Sequence, residues 1–241
     1  MDKKRLDKAC LEFISTRAKA QDAIKENRVL VNGKVISKAS YLVCEQDEIK
    51  VLSSEDDFVS RAGIKLKDAM EYFHIDIFNQ TVLDIGASTG GFTDVCIRHH
   101  AKKVYALDVG HLQLDKTLED NPRVIKMEGF NARNITKDTF AEAIDFVCMD
   151  VSFISCKTIL EVIFDTLQPT HMVILIKPQF ECGPQFLNKH GVLKNQKIIN
   201  HVLEDVKNFI SVKYKNVNII PSSIKGRSGN QEYLCYAYEM R

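Results

Sequence analysis

The spacing of apolar residues changes character twice along the chain. Near the start, Leu6, Cys10, Phe13 and Ile14 recur at helical intervals, which predicts a helix over residues 5–14. Ser15 or Thr16 can cap a second helix over 17–26 that turns Ala20, Ala23 and Ile24 inward. Val29, Val31 and Val35 then fall on alternate positions around Asn32-Gly33, a strong hairpin-turn pair, and Ile49 with Val51 reads as a closing strand. A polar break at 53–57 follows. After it comes a helix over 63–73 with Leu66, Ala69, Met70 and Phe73 on one face.

From residue 81 strands and helices alternate. The pattern predicts strands over 81–85, 103–108, 123–127, 144–149, 171–177, 217–221 and 232–239, with helices over 92–100, 136–143, 156–167 and 195–210. Such alternation builds an α/β fold whose mostly parallel sheet is covered on both faces and binds ligands at the carboxyl ends of its strands. The domain reading is therefore a small α+β domain over 1–54, a linker over 55–62 and an α/β domain over 63–241.

Length and composition agree with this division. The 241 residues correspond to about one and a half domains. A hydrophobic content of 45% excludes a disordered or low-complexity chain. The net charge of +1 conceals an asymmetry: residues 1–40 hold 10 Lys/Arg against 5 Asp/Glu, and residues 41–241 hold 23 against 27. A basic segment on an acidic body suits a nucleic-acid partner, or a merely solvated helix face. No apolar run approaches the ~18 residues of a membrane span, and no apolar core follows Met1-Asp2-Lys3-Lys4-Arg5 to make a signal peptide. Seven scattered cysteines without a Cys-x-x-Cys pair indicate free thiols in a cytoplasmic protein and no metal site.

The first strand of the α/β region runs into Asp84-Ile85-Gly86-Ala87-Ser88-Thr89-Gly90-Gly91-Phe92, a small-residue turn that lets a ligand approach the backbone. It lacks the Gly-Lys-Ser/Thr of a phosphate-cradling loop. Ser88 replaces the second glycine of a dinucleotide fingerprint and would crowd a pyrophosphate. An adenosine ligand without a phosphate chain, such as S-adenosylmethionine, fits better, with Asp108 at the end of the second strand accepting from the ribose hydroxyls. A tight-packing turn is the alternative. A hydrolase elbow at Ser88 is another, with Asp150 and His171 or His190 completing a triad. Four further polar residues can converge at the strand ends: Asp150, Lys177, Glu232 and, from the helix over 63–73, Lys65. A lysine at the end of a buried strand is costly unless paired. Lys177 is thus half of a structural ion pair with Asp150, or a base whose pKa burial and a second cation lower.

Five segments narrow these alternatives: Phe58-Val59-Ser60-Arg61-Ala62-Gly63-Ile64-Lys65-Leu66, the turn from Asp84 to Asp94, Asp150-Val151-Ser152-Phe153-Ile154-Ser155, Lys177-Pro178-Gln179-Phe180-Glu181 and Gly229-Asn230-Gln231-Glu232. In this order they resemble the hemolysin A (TlyA) family of rRNA methyltransferases, relatives of the FtsJ-type ribose 2′-O-methyltransferases. The stretch from Arg5-Leu6-Asp7 through Arg17, Ala20 and Ile24 to Val29-Leu30-Val31-Asn32-Gly33-Lys34 resembles an S-four-type RNA-binding domain. The match spans nearly the whole chain. Ala62, where the family often has glycine, is a small departure.

The resemblance implies a Rossmann-like, seven-stranded class I methyltransferase sheet with its last strand antiparallel, joined to a small N-terminal α+β RNA-binding domain. It implies a Lys-Asp-Lys-Glu tetrad at Lys65, Asp150, Lys177 and Glu232. S-adenosylmethionine would be held by Asp84, Gly86, Ala87, Ser88, Thr89, Gly90, Gly91, Phe92, Asp108, Asn131 and Asp150. Its substrate class would be cytidine ribose in ribosomal RNA, in the large subunit first and the small subunit as a second possibility, acted on by a monomer. RNA contacts are expected from Arg5, Lys8, Arg17, Lys19, Lys25, Arg28 and Lys34, and around the site from Arg61, Lys225 and Arg227. An inactive RNA-binding assembly factor and a pore-forming hemolysin are the rival readings. The first would need no tetrad. The second would need a membrane-inserting segment that the sequence does not offer.

Overall fold

The structure is a computed structural model that describes residues 3–14, 16–54, 57–226 and 228–241. Arg227 and the alternative cap Ser15 lie outside the described residues. The chain divides into two compact units, one ending at Asp57 and one beginning at Phe58. Residues 58–62, expected as linker, therefore belong to the second unit: Phe58 is buried, and the Val59 N–H donates to Asp94 at 2.8 Å.

In the first unit β1 (Lys4–Arg5) leads into a short α1 (Leu6–Ala9) that ends in a 3₁₀ turn, so the helix expected to reach residue 14 is interrupted. Thr16 caps α2 (Arg17–Lys25) by accepting from the Lys19 N–H. The hairpin expected at Asn32-Gly33 joins β2 (Val29–Val31) to β3 (Lys34–Val35), and both turn residues have the positive φ that a type I′ turn demands. Two more strands, β4 (Leu42–Val43) and β5 (Ile49–Val51), pair with β1 and β2 respectively. Leu6, Cys10, Ala20, Ala23, Ile24, Val29, Val31 and Val43 form its core.

The second unit opens with α3 (Ala62–Phe73), then β6 (Thr81–Ile85), α4 (Gly91–Arg98), β7 (Lys103–Asp108), α5 (Lys116–Glu119), β8 (Val124–Glu128) and β9 (Phe146–Met149). It continues with α6 (Cys156–Thr166), β10 (His171–Ile176), α7 (Pro178–Glu181), α8 (Gln196–Ser211), β11 (Tyr214–Pro221) and β12 (Tyr233–Met240). The seven strands lie in the order β11-β12-β10-β9-β6-β7-β8, and β12 alone runs against its neighbours. β6 and β10 are buried at every position, as strands covered on both faces must be. One apolar core packs α6 and α8 on one face of the sheet; another packs α3 and α4 on the other.

The helix expected over 136–143 is absent. The Thr136 N–H donates to the Thr139 hydroxyl at 2.8 Å and the Thr139 N–H donates to the Thr136 carbonyl at 3.2 Å, so the segment closes one tight turn where a helix was expected. Ile135, Phe140 and Ile144 are buried from this irregular segment, which explains why its apolar spacing read as helical.

Gly90 begins α4 at φ +93°, and a Cβ there would collide with the Leu118 side chain. Gly90→Ala should destabilise the second unit by at least about 2 kcal/mol, from left-handed strain and overpacking together. An unchanged denaturation midpoint would contradict this account.

Candidate active site

Strand register sets a row of polar groups along the carboxyl edge of the sheet. β7 and β8 pair Asp108 with Glu128. Beside Asp108, the Gly86 N–H donates to the Leu107 carbonyl at 2.8 Å. The Asp150 N–H in turn donates to the Ile85 carbonyl at 2.9 Å, and a Cβ on Gly86 would collide with the Asp150 carbonyl oxygen. Across β10 and β12 the last pair is Ile176 with Tyr233, so the same register carried one residue further sets Lys177 opposite Glu232. Six positions from distant parts of the chain thus converge on one edge: Glu128, Asp108, Gly86, Asp150, Lys177 and Glu232.

The four charged residues expected to act together form two ion pairs. Lys177 Nζ lies 2.5 Å from Asp150 Oδ1 and donates to the Ser152 hydroxyl at 2.8 Å. Lys65 Nζ donates to Glu232 Oε2 at 2.5 Å, with the lysine 8% and the glutamate 3% exposed. This second pair is deeply desolvated, so removing either partner would leave a buried charge uncompensated. The Ser223 hydroxyl donates to Asp68 on α3, tying the loop before Glu232 to the helix that carries Lys65. On the other side, Glu181 accepts from the Ser155 hydroxyl at 2.6 Å and the Cys156 N–H at 2.7 Å. That contact ties α7, which follows Lys177, to the segment after Asp150.

The expected cofactor residues separate into two groups. Gly86 is half-buried and Ser88 and Thr89 are exposed, so these present the turn to a ligand. Asp108 accepts from the Ser88 N–H at 2.8 Å and the Gly110 N–H at 2.7 Å, and each oxygen keeps acceptor capacity for a ribose hydroxyl. Asn131 accepts from the Arg133 N–H and so turns the chain after β8. The other residues face protein. Ala87 and Phe92 are buried, Gly90 meets Leu118, and Gly91 packs against Ser60 and Ala62. Asp84, expected to touch the ligand, is 0% exposed beneath the turn and accepts from the Thr93 hydroxyl at 2.7 Å. It supports the turn from below, and its Oδ1 accepts no hydrogen bond among the described residues.

Three residues of this edge escaped the sequence reading. Glu128 accepts from the Leu112, Gln113 and Leu114 N–H groups at 2.8, 2.8 and 3.1 Å, which folds the loop beside Asp108 and holds its carboxyl below the usual range. Ser152 fixes Lys177, as above. Phe153 is 89% exposed at φ +65°, with its ring centroid 5.0 Å from that of Phe180. A bulky residue in left-handed backbone marks strain held in place by its surroundings. Its own place as the acid at the end of a strand was the available signal for Glu128.

The hydrolase alternative fails on geometry. His171 begins β10, at the amino end of the strand, where it bonds Gln80 at 2.8 Å and Tyr236 at 3.3 Å; burial pushes its pKa down to about 4. His190 lies on an exposed loop, and neither histidine bonds Ser88 among the described residues. No helix among the described residues is long and apolar enough to cross a membrane.

In the first unit, Asp7 is 0% exposed yet accepts from Arg5 Nε and Nη2, both at 3.0 Å, from Arg17 Nε and Nη2 at 3.0 and 2.8 Å, and from Gln21 at 2.7 Å. The Arg5 fork, ahead of Gln21 and Arg17, holds the carboxyl well below the usual range. Both arginines remain partly exposed, so their guanidinium planes are fixed at the surface. Arg28 differs from expectation. It bonds Glu26, Asp57 and the Leu52 carbonyl, which occupies its fork within the unit. Lys8, Lys25, Lys34, Arg61 and Lys225 are exposed, and Lys19 is half-buried.

Comparison with known proteins adds an independent finding. Residues 58–238 match the FtsJ-like methyltransferase family and residues 4–49 the S4 domain. The chain is 43% identical over 230 residues to hemolysin A of Brachyspira hyodysenteriae, covering 93% of this chain and 94% of that one. It is 36% identical over 241 residues to the 23S rRNA (cytidine-2′-O)-methyltransferase TlyA of Campylobacter jejuni, covering 92% and 93%. A solved structure of a putative hemolysin from Streptococcus thermophilus superposes with a TM-score of 0.74 at 34% identity, over 99% of this chain and 90% of that one.

Burial, with a smaller contribution from Asp150, pushes the Asp84 pKa up to about 7 despite the Thr93 bond. A carboxyl raised from its ordinary 3.8 keeps its proton in the folded chain while the unfolded chain loses it. Stability should therefore fall as pH climbs from about 4 to about 7, by at most about 1.4 kcal/mol per pH unit. Asp84→Asn should flatten that slope in thermal melts taken across the range; parallel curves for the two proteins would overturn the assignment.

Proposed function

The chain belongs to the FtsJ-like methyltransferase family, in its hemolysin A (TlyA) group, and from that premise we propose that it methylates the 2′-hydroxyl of a cytidine ribose in ribosomal RNA, using S-adenosylmethionine. One observation carries the reading: two lysines, each held by its own carboxylate, stand beside a ligand-accessible glycine turn on a single strand edge. An RNA-binding protein without activity would need no such arrangement. The large ribosomal subunit is the favoured target, supported by the substrate in the name of the Campylobacter jejuni relative. We place the protein in the cytoplasm, acting as a monomer.

The residues of the turn fit the cofactor. Asp108 offers acceptors for the ribose hydroxyls, and the half-buried Gly86 lets a ligand lie against the backbone. When bound, S-adenosylmethionine supplies an electrophilic methyl group on a sulfonium. A ribose hydroxyl is a poor acid, so its proton must leave as its oxygen attacks. Lys177, as the free amine, accepts that proton at Nζ, held in place by Asp150 and Ser152. Lys65, oriented by Glu232, presents positive charge to the developing alkoxide. The exposed ring of Phe153 offers a face on which an unstacked base can lie.

Mapping 2′-O-methyl groups on ribosomal RNA from cells with and without the protein tests this reading. One or more cytidine sites should vanish without it. Complementation with Lys177→Met should leave those sites unmodified, with the transfer rate reduced by about 100-fold or more and cofactor binding retained. An unchanged methylation map, or a fully active Lys177→Met, would refute the proposal.

The Asp7 cage gives a prediction whose sign is informative. Asp7→Asn makes the first unit more positive, so charge alone predicts tighter RNA binding. If Asp7 serves to orient Arg5 and Arg17 toward phosphates, RNA binding should weaken instead, in a chain whose circular dichroism shows it still folded.

A further inference from the structure

We propose that the loop after α7 together with the first turn of α8, over residues 186–197, is a phosphate-gripping arm of the catalytic unit that holds the RNA backbone next to the target nucleotide. The proposal rests on the RNA-methyltransferase reading above and adds a contact surface to it.

The charge pattern is the first observation. From Cys182 to Leu203 the chain contains no Asp or Glu, while it contains Lys189, Lys194, Lys197, His190 and His201. The surrounding sequence is acidic, with 27 Asp/Glu against 23 Lys/Arg over residues 41–241. Lys189, His190, Lys194 and Lys197 are all exposed, and none of them forms an ion pair among the described residues. Elsewhere in this unit lysines are commonly neutralised: Lys102 and Lys103 share Glu142, and Lys126 pairs with Glu119. The loop therefore keeps local positive potential on an otherwise acidic body.

The second observation is that this loop is built rather than loose. Asn188 Oδ1 accepts from the His190 N–H at 2.8 Å and the Val192 N–H at 3.0 Å, and the Asn188 N–H donates to the Val192 carbonyl at 3.1 Å. Gly191 supplies the positive φ that closes the turn. Asn195 ends the loop by capping α8 through the Lys197 N–H at 3.0 Å.

The third observation fixes where the loop sits. Asn230 is 3% exposed; its Oδ1 accepts from the Leu193 N–H at 2.9 Å and its Nδ2 donates to the Gly191 carbonyl at 3.0 Å. Asn230 stands two residues before Glu232, the partner of Lys65. One buried amide thus indexes a set of unpaired cations to the strand end that carries the site. A polyanion with regularly spaced charges is the partner this fits, and the RNA strand entering the site is such a polyanion.

The test uses the full chain with Lys189, Lys194 and Lys197 all changed to Ala, against a control triple of Lys137, Lys207 and Lys215 to Ala. These control lysines are exposed and lie outside residues 186–197, the nearest in sequence being Lys207, ten residues beyond Lys197 on α8. Binding to a ribosomal RNA fragment is followed from about 50 to 200 mM salt, where each phosphate contact contributes about 0.7–0.9 to the slope of log affinity against log salt. The loop triple should lose at least about tenfold in affinity at low salt and one or more in slope. Its KM for RNA should rise while kcat and cofactor affinity stay near the parent's, and the control triple should change little. An unchanged slope in the loop triple, or an equal loss in both triples, overturns the proposal while the function reading stands. A parent chain that methylates no RNA fails the function reading itself.

Discussion

Because β12 runs against β10, it is the first residues of the strand and not the last that meet the carboxyl end of the sheet. This antiparallel register is the constraint on which the site depends. In a sheet of parallel strands each strand contributes its outgoing end; here the segment entering β12 brings Glu232 level with Lys177 and within 2.5 Å of Lys65. The loop just upstream then lies over the same edge, which is how Ser223 reaches Asp68 and Asn230 reaches Gly191. A parallel last strand would have sent all these groups to the other end of the molecule.

Two kinds of carboxylate surround the edge, and their environments separate their roles. Asp150 and Glu232 each face a lysine, so their charge is matched. Asp84 is buried without a cation and retains its proton to near neutral pH, while Glu128 spends its charge on three backbone N–H groups. The first two can orient catalytic amines. The second two shape the walls, one beneath the glycine turn and one beside Asp108. Asp7 in the first unit follows the same logic as the matched pair, but it orients guanidinium groups at an exposed surface instead of amines in a cleft.

Much of this was legible in the sequence. Short, β-branched-rich segments such as 81–85 and 171–176 suit strands covered on both faces, and their ends locate Gly86 and Lys177 without reference to structure. Legibility failed where apolar spacing alone imitates a helix. Ile135, Phe140 and Ile144 are buried from a stretch of turns, so an apolar spacing of helical period belongs to an irregular segment. It failed again where a motif residue serves packing. Gly90, Gly91 and Phe92 belong to the ligand-like turn but face Leu118, Ala62 and the core. Periodicity finds elements; it does not say which side of a turn a ligand approaches. The roles of Ser152, which accepts from Lys177, and of Glu128, which accepts from three N–H groups of one loop, arise from long-range contacts that periodicity does not encode.

The placement of β12 also bears on how the molecule comes into being during synthesis. In the chain it follows β11, yet in the sheet it lies between β11 and β10. While the polypeptide is still emerging, the outer edge of β10 stays open and β11 has no neighbour to join. The lysine on α3, made early, waits for a partner 167 residues downstream. A nascent chain that has not yet released the segment entering its final strand thus holds the glycine turn, both lysines and Asp150, but Glu232, one of the four paired charges, is missing. Through this one inserted strand, the site is complete only once the sheet has closed around it.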